Sequence, residues 1–375
     1  MGAMSVSQFR VDLSAISHNL RCVRQQAGRR AVLVAVKANA YGHGAVAVSR
    51  HIQDSGLAEM LGVAHVGEGR ELRDAGITMP VLKFTPALPD ELEAALAADL
   101  ALTVADAASI DQAQTAASEA DRTVKVHLKL DTGMGRVGAP VRDAVRLARR
   151  VAQSSHLELD GVFTHLPSSD TRDGEEFTRA QLGAFEAACG EIEGLFGPVP
   201  HVSAANSGAI LLHDLGATSL VRPGVMVYGC YPDANTPRTV DLAPVATWTS
   251  RLGFVKQVRA GETVGYGRTW TAPCDTWIGT VLVGYGDGYS RKLSNTGRML
   301  IDGVSYPIAG RVCMDQTMID LGPQEPQVAV GDEVVLLGAS GHEEITVAEL
   351  AEVMGTITYE VTCLVAPRVG RVHRP

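Results

Sequence analysis

The chain has no apolar run near the roughly 20 residues that a membrane-spanning helix needs. Its first residues lack the basic start and apolar core of a secretory signal. A cytoplasmic protein with no membrane partner is therefore expected. The six cysteines (Cys22, Cys189, Cys230, Cys274, Cys313 and Cys363) are scattered, with no Cys-x-x-Cys pair. That pattern points away from a zinc site or a disulfide framework and fits a reducing compartment. Basic residues are outnumbered, 33 against 42, for a net charge of −9. This argues against nucleic acid or an anionic surface as partner. A small anionic ligand stays open, because local clusters rather than net charge bind phosphate. No Walker loop, His-Glu-x-x-His or Gly-x-Ser-x-Gly occurs. Internal repeats and low-complexity linkers are missing too.

What is present suits a sizeable core: 46% of the 375 residues are hydrophobic. That length suggests one large domain and a smaller one. Met1-Gly2-Ala3-Met4 reads as an appended scar ahead of a native start at Met4. The most informative stretch is Ala31-Val32-Leu33-Val34-Ala35-Val36 followed by Lys37-Ala38-Asn39-Ala40-Tyr41-Gly42-His43-Gly44. The Val-rich run predicts a strand buried on both faces. Lys37 sits at its C-terminal end, where parallel α/β folds place active sites. A lysine there is costly unless it is exposed, paired or chemically used.

Further along, strand-like runs at 60–64, 80–84, 101–104, 124–130, 159–164, 201–203 and 219–222 alternate with amphipathic stretches at 90–98, 106–120, 141–153 and 177–196. With the Lys37 strand, about eight β-then-α units result, which favours a (β/α)8 barrel, a TIM barrel, over a doubly wound sheet. Asp12 or Ser14 can cap a first helix striped by Leu13, Ile16, Leu20 and Val23. Near Asp241-Leu242-Ala243-Pro244 the texture changes. Short strand-like runs at 277–283, 299–301, 312–319 and 333–337, separated by glycine turns, predict a mostly-β second domain. Thr346 with Glu349 predicts a capped helix over 346–354. The expected domains are residues 1–240 and 241–375.

Polar residues cluster at the predicted strand ends. They are Asp131-Thr132-Gly133-Met134-Gly135-Arg136, Thr164-His165, Ala204-Ala205-Asn206-Ser207-Gly208 and Arg222-Pro223-Gly224-Val225. Backbone N–H groups at the last two, with the Ser207 hydroxyl, can hold a phosphate dianion. Each motif alone also fits an ordinary cap or turn. The β-rich region adds tyrosines between glycines, Gly265-Tyr266-Gly267 and Gly284-Tyr285-Gly286, together with Met314 and Thr358-Tyr359-Glu360.

Taken together, these strings resemble bacterial alanine racemases in order and spacing along essentially the whole chain. The resemblance implies a fold-type III enzyme dependent on pyridoxal 5'-phosphate (PLP). Such enzymes have an N-terminal PLP-binding barrel, a C-terminal β domain, and a homodimer in which each β domain completes the partner's site. It implies that Lys37 carries the cofactor and acts as one acid/base group, with Tyr266 of the other subunit opposing it. Tyr41, Ser207, Gly224, Val225 and Tyr359 match the phosphate set, and Arg222 matches the residue at the pyridine nitrogen. His165 matches the position that flanks the ring and bonds towards Arg222, and Asn206 lies beside it. Arg136 and Met314 match contacts to the substrate carboxylate, and Tyr285 matches an entrance residue. Lys129 matches a lysine that is often carbamylated and then orients Arg136. No metal is implied. The implied substrate is alanine, and the implied role is supply of D-alanine for peptidoglycan.

Two departures stand out. After Thr164-His165 the chain reads Leu166-Pro167-Ser168-Ser169-Asp170, and further on Leu242-Ala243-Pro244-Val245-Ala246, where the family commonly differs. Neither removes a proposed catalytic group, but both bear on loop shape. An alanine/serine racemase of the same fold is the alternative, since a small pocket rejects one extra hydroxyl only weakly. A basic-amino-acid decarboxylase of this fold type fits less well, because Tyr266 and Arg136 match the racemase. A non-catalytic PLP carrier would lack the second domain. A phosphate-binding barrel without PLP would show no cofactor-derived yellow colour.

Overall fold

The computed structural model describes residues 6–233 and 235–375. The expected scar at Met1-Gly2-Ala3-Met4 lies outside the described residues. The chain divides into two compact units, one of Ile16–Ala243 and one joining the residues up to Ala15 to Pro244–Pro375.

The first unit is built on parallel strands β1 (Ala31–Ala35), β2 (Met60–Val63), β3 (Val81–Lys83), β4 (Leu100–Val104), β5 (Val124–Asp131), β6 (Leu157–Phe163), β7 (His201–Ser203) and β8 (Leu220–Val221). Their order runs β8-β1-β2-β3-β4-β5-β6-β7. Backbone bonds from Ser219 N–H to Val202 O (2.8 Å) and from Arg222 N–H to Ala205 O (2.8 Å) bridge β7 to β8. The result is a nearly closed eight-stranded barrel, as expected. Closure buries β1 on both faces: Val32, Leu33 and Val34 are fully enclosed. Helices such as Ala45–Ser55, Ala107–Glu119, Ala144–Ala152 and Glu175–Phe196 follow the strands. Asp106 caps one of them, accepting from Ser109 N–H at 2.7 Å.

Strand β5 shows how the barrel carries charge. Its sequence alternates, and period two puts Lys125, His127, Lys129 and Asp131 on one face, with Val126 and Leu128 on the other. The polar face runs along the strand from its N-terminal end to the end where the candidate residues gather. Near its start, Asp160 accepts from Lys125 (2.9 Å) and pairs with His127 (3.3 Å).

The second unit is mostly β. Strand Ala246–Val258 is its spine, pairing antiparallel with Gln8–Asp12, Glu333–Ser340 and Thr276–Val281. Gln8–Asp12 also pairs in parallel with Gly370–Arg374. Asp12 then caps the helix Leu13–Ala27, its carboxylate accepting from Ala15 N–H at 3.0 Å. Thr346 caps Val347–Met354 as its sequence predicts, accepting from Glu349 N–H at 3.0 Å. The strand expected at 312–319 is different. Only Thr317–Gly322 is extended. Residues before it turn back on themselves, with Cys313 N–H donating to Gln316 O at 2.9 Å. A second short helix, Thr358–Cys363, was not expected.

Candidate active site

Lys37 follows β1, and the chain then does something unusual. Ala38, Asn39, Ala40 and Tyr41 all have φ between 52° and 55°. This is a left-handed helical turn without a single glycine, and such residues cost about 1–2 kcal/mol each. Conformations of this kind persist where the surroundings over-determine them, commonly at functional sites. Here Ala40 N–H donates to Val36 O (2.8 Å) and Gly42 N–H to Ala38 O (3.0 Å). Asn39 Oδ1 accepts from Ala45 N–H (2.8 Å), and Glu68 Oε1 accepts from Ala38 N–H (2.7 Å). The turn sets Lys37 at one end and Tyr41 at the other. The Lys37 ammonium lies 6.0 Å from the centre of the Phe84 ring.

Tyr41 is held by aromatic packing. Its ring lies 4.9 Å from that of Tyr228, and His43 stacks on Tyr228 at 4.7 Å. The Tyr228 hydroxyl donates to Ala35 O at 2.9 Å, tying the stack to β1. The Tyr41 hydroxyl reaches Gly224, where an added Cβ would stand 2.6 Å from it. Ser207 Oγ accepts from the N–H groups of Gly224 (3.0 Å) and Met226 (3.4 Å). Asn206 caps the helix Ser207–Leu212 through Ala209 N–H (3.0 Å) and donates to Leu166 O (2.9 Å). In the departing loop, Ser169 donates to Asn206 Oδ1 at 2.7 Å.

A cation cluster lies at the same strand ends. Arg222 is buried and donates to Ser203 Oγ, Thr164 O (2.6 Å) and Ala204 O (3.3 Å). Phe163 presents its ring to Arg222 (5.3 Å) and to the Lys129 ammonium (5.1 Å). Burial lowers Arg222 to about 10, so it stays protonated at neutral pH. Burial, aided by the cations Arg222, Arg136 and Lys37, lowers Lys129 to about 8. Burial and the same cations, with Lys129, lower His165 to about 3, so its imidazole is neutral. Arg136 sits on an exposed loop whose shape depends on Asp131, which accepts from Gly133 N–H (2.9 Å) and Gly135 N–H (3.0 Å).

The second unit carries the remaining candidates. Tyr266 opens a short turn between Gly265 and Gly267, and its side chain is 70% exposed. Tyr285 and Met314 are exposed as well, on two loops locked together. Tyr285 N–H donates to Cys313 O (2.9 Å) and Gly286 N–H to Met314 O (2.8 Å). Arg368 braces both loops, bonding Asp287 (2.7 Å) and Asp315 (2.9 Å). Tyr359 lies on the helix Thr358–Cys363.

Thus one unit gathers Lys37, Tyr41, Lys129, Arg136, His165, Asn206, Ser207, Arg222, Gly224 and Val225, and the other carries Tyr266, Tyr285, Met314 and Tyr359. Sequence reasoning overlooked Phe84 and Ser203 as neighbours of these groups, and Glu68. Ser203 at least carries a signal, as a polar residue ending an apolar strand. Phe84 and Glu68 carry none. A cavity of about 440 Å³ at the opposite strand ends is lined by Arg73, Arg122, Lys125, Asp160 and His201. Its charges are largely paired internally, Arg122 with Asp99 and Lys125 with Asp160. Among the described residues no group of three or more His, Cys, Asp or Glu could hold a metal ion.

The donor set at the strand ends of the first unit fits PLP. It offers an amine at a strand end, a glycine-lined hydroxyl and N–H cradle for a phosphate, and a buried permanent cation. The cradle is specific, since a side chain at Gly224 would fill the space against Tyr41.

Comparison with known proteins agrees. Residues 11–232 match the family described as alanine racemase, N-terminal domain, and residues 245–373 match alanine racemase, C-terminal domain. An alanine racemase of Cutibacterium acnes is 50% identical over 367 residues, covering 98% of this chain and 97% of that one. The crystal structure of alanine racemase from E. faecalis superposes with a TM-score of 0.92 at 34% identity, covering 100% of both chains. That from a D-cycloserine-producing Streptomyces lavendulae gives 0.91 at 34% identity, covering 100% of this chain and 98% of the other.

Proposed function

The chain belongs to the alanine racemase family and is a PLP-dependent amino-acid racemase, and from that premise we propose that it interconverts L- and D-alanine with two bases, Lys37 and a partner subunit's Tyr266. The observation that carries this reading is that the turn begun at Lys37 ends at Tyr41, whose hydroxyl meets Gly224 of the Ser207–Gly224 cradle, while Ala35, two residues before Lys37, bonds Pro223 next to the buried Arg222. Tyr41, Ser207, Gly224 and Val225 would hold the cofactor phosphate, with Tyr359. Arg222 would face the pyridine nitrogen, with His165 and Asn206 beside the ring. When bound, the cofactor supplies an electron sink that makes the substrate Cα–H acidic.

Inversion needs a group on each face of Cα. Lys37 Nζ takes or delivers the proton on one face, and Tyr266 Oη does so on the other. Arg136 and the Met314 backbone hold the substrate carboxylate, which fixes Cα between them. Tyr285 narrows the entrance. Arg222 cannot give up its proton at neutral pH, so it leaves the pyridine nitrogen unprotonated and moderates the sink. Lys129, lowered to about 8, has an appreciable neutral fraction at mildly alkaline pH. Its amine can therefore add carbon dioxide, releasing one proton, and the carbamate would pair with Arg136.

Exposure of Tyr266, Tyr285 and Met314 supports a homodimer in which residues 241–375 complete the site built on residues 1–240 of the other copy. A cytoplasmic location and supply of D-alanine for peptidoglycan complete the reading. Serine is the expected second substrate.

The test is chemical. PLP-loaded protein reduced with borohydride should carry the cofactor on the Lys37 peptide and should form D-alanine from L-alanine before reduction. Mixing Lys37→Ala with Tyr266→Phe chains should restore about a quarter of the activity if sites are shared. Label on another lysine, or no gain on mixing, would count against the assignment.

A further inference from the structure

We propose that Glu68 is a positioning residue for Lys37, acting through the left-handed turn that follows it. The inference rests on the reading of Lys37 as the cofactor-bearing lysine. Glu68 is the third residue of the helix Val66–Asp74, and one of its oxygens does what a residue there commonly does. Oε2 accepts from Ala64 N–H (2.7 Å) and His65 N–H (3.1 Å), closing the helix entrance after β2. The other oxygen is not needed for that purpose. Oε1 accepts from Ala38 N–H at 2.7 Å, the residue directly after Lys37. One half-buried carboxylate thus joins the end of β1 to the end of β2 at the first residue of the turn.

Ala38 has φ 53° and ψ 48°, a conformation that alanine disfavours. The turn is long enough that an error in direction at Ala38 propagates to Tyr41 at its far end. A charge-assisted bond from a carboxylate to a backbone N–H is among the stronger restraints available there. The other restraints run through Gly42 N–H to Ala38 O, Asn39 Oδ1 to Ala45 N–H and Ala40 N–H to Val36 O. Glu68 is the group that grips the N–H next to Lys37. Loosening this grip would leave the barrel intact and misdirect both Lys37 and Tyr41.

The experiment compares wild type with Glu68→Gln, with Glu71→Gln as a control on the same helix, and with Glu68→Gln combined with Ala38→Gly. The amide of Glu68→Gln keeps size but presents an NH2 to one of the three N–H donors. Apoprotein of each variant is titrated with PLP, and the absorbance of the lysine-bound cofactor is followed against pH. Kinetics with alanine and apoprotein melting are recorded beside them. Glu68→Gln should weaken PLP binding at least tenfold and move the pH midpoint of the absorbance band. It should lower kcat at least tenfold while KM moves less than threefold. Glu71→Gln should match wild type. Ala38→Gly, which removes the strain, should recover part of the lost PLP affinity in the double variant. PLP affinity and pH midpoint within twofold of wild type, with only melting lowered, would overturn the proposal and leave Glu68 a helix cap. A wild type with no lysine-bound cofactor would overturn the parent reading and this proposal with it.

Discussion

The Lys129 ammonium is buried against the face of Phe163, 5.1 Å from the ring centre, with Arg222 on the same ring at 5.3 Å. Two cations about one ring at a buried site cannot both be charged without cost, and Lys129 is the one that yields.

From this follows a pH dependence of stability. Lys129 falls from 10.5 to about 8 in the folded chain. Between pH 8 and 10.5 the unfolded chain therefore holds a proton that the folded chain has released, so stability of the apoprotein rises with pH through that window. The full effect is about 3 kcal/mol. Lys129→Met should be more stable than wild type near neutral pH and should lose the rise. Denaturant titrations of the apoprotein from pH 7 to 10.5 decide this; parallel curves for the two proteins would contradict it.

The same amine should respond to carbon dioxide. Bicarbonate should raise racemase activity of degassed wild type and leave Lys129→Met unchanged, and intact-protein or carbon-13 resonance measurements should find one carbamate per chain. An equal response in both proteins would place the effect elsewhere.

At Gly224 the constraint is steric. An added Cβ there would stand 2.6 Å from the Tyr41 hydroxyl. Gly224→Ala should push the Tyr41 hydroxyl away, an overpacking cost of about 1–3 kcal/mol. Expressed as affinity, PLP binding should weaken by about ten- to a hundredfold. Equilibrium titration of apoprotein with PLP reads the change directly, and Tyr41→Phe should soften it by removing the colliding atom.

Asp160 bears on folding rather than chemistry. Its carboxyl is held well below the usual range despite burial, by bonds from His127 and Lys125. A depressed carboxylate contributes stability above its unfolded value near 3.8 and loses it as pH falls. Asp160→Asn removes the charge that His127 and the largely exposed Lys125 bond, and so should lower stability. Melting between pH 7 and 3 should show the variant less stable at neutral pH, with a gap that narrows on acidification. A gap that does not narrow would mean that packing, not charge, is what the substitution disturbs.

Much of the barrel was legible because it follows from short-range patterns. The alternation of β5 and the continuous apolar run of β1 each state which faces are buried. The cradle residues could be found as well, because Asn206, Ser207 and Gly224 are types with little reason to end a strand except to cap or to bind. What could not be read has a common cause. The left-handed turn is written in two alanines, an asparagine and a tyrosine, of which only asparagine favours positive φ, and bonds to Glu68 and Asn39 brace it. The mistaken strand at 312–319 looks apolar, yet its first carbonyls are taken by the Tyr285 turn. The N-terminal strand Gln8–Asp12 pairs with residues more than two hundred positions away, where local pattern carries no information.

The central claim is that Lys37 and Tyr266 exchange the Cα proton from opposite faces. It is tested most directly by incubating PLP-loaded protein with L-alanine in heavy water, following Cα deuteration and D-alanine separately for wild type and Tyr266→Phe. Deuterated D-alanine from wild type and a loss of at least a hundredfold in the variant are predicted. Deuteration without D-alanine in wild type, or a Tyr266→Phe chain that racemises as fast as wild type, would contradict the two-base account.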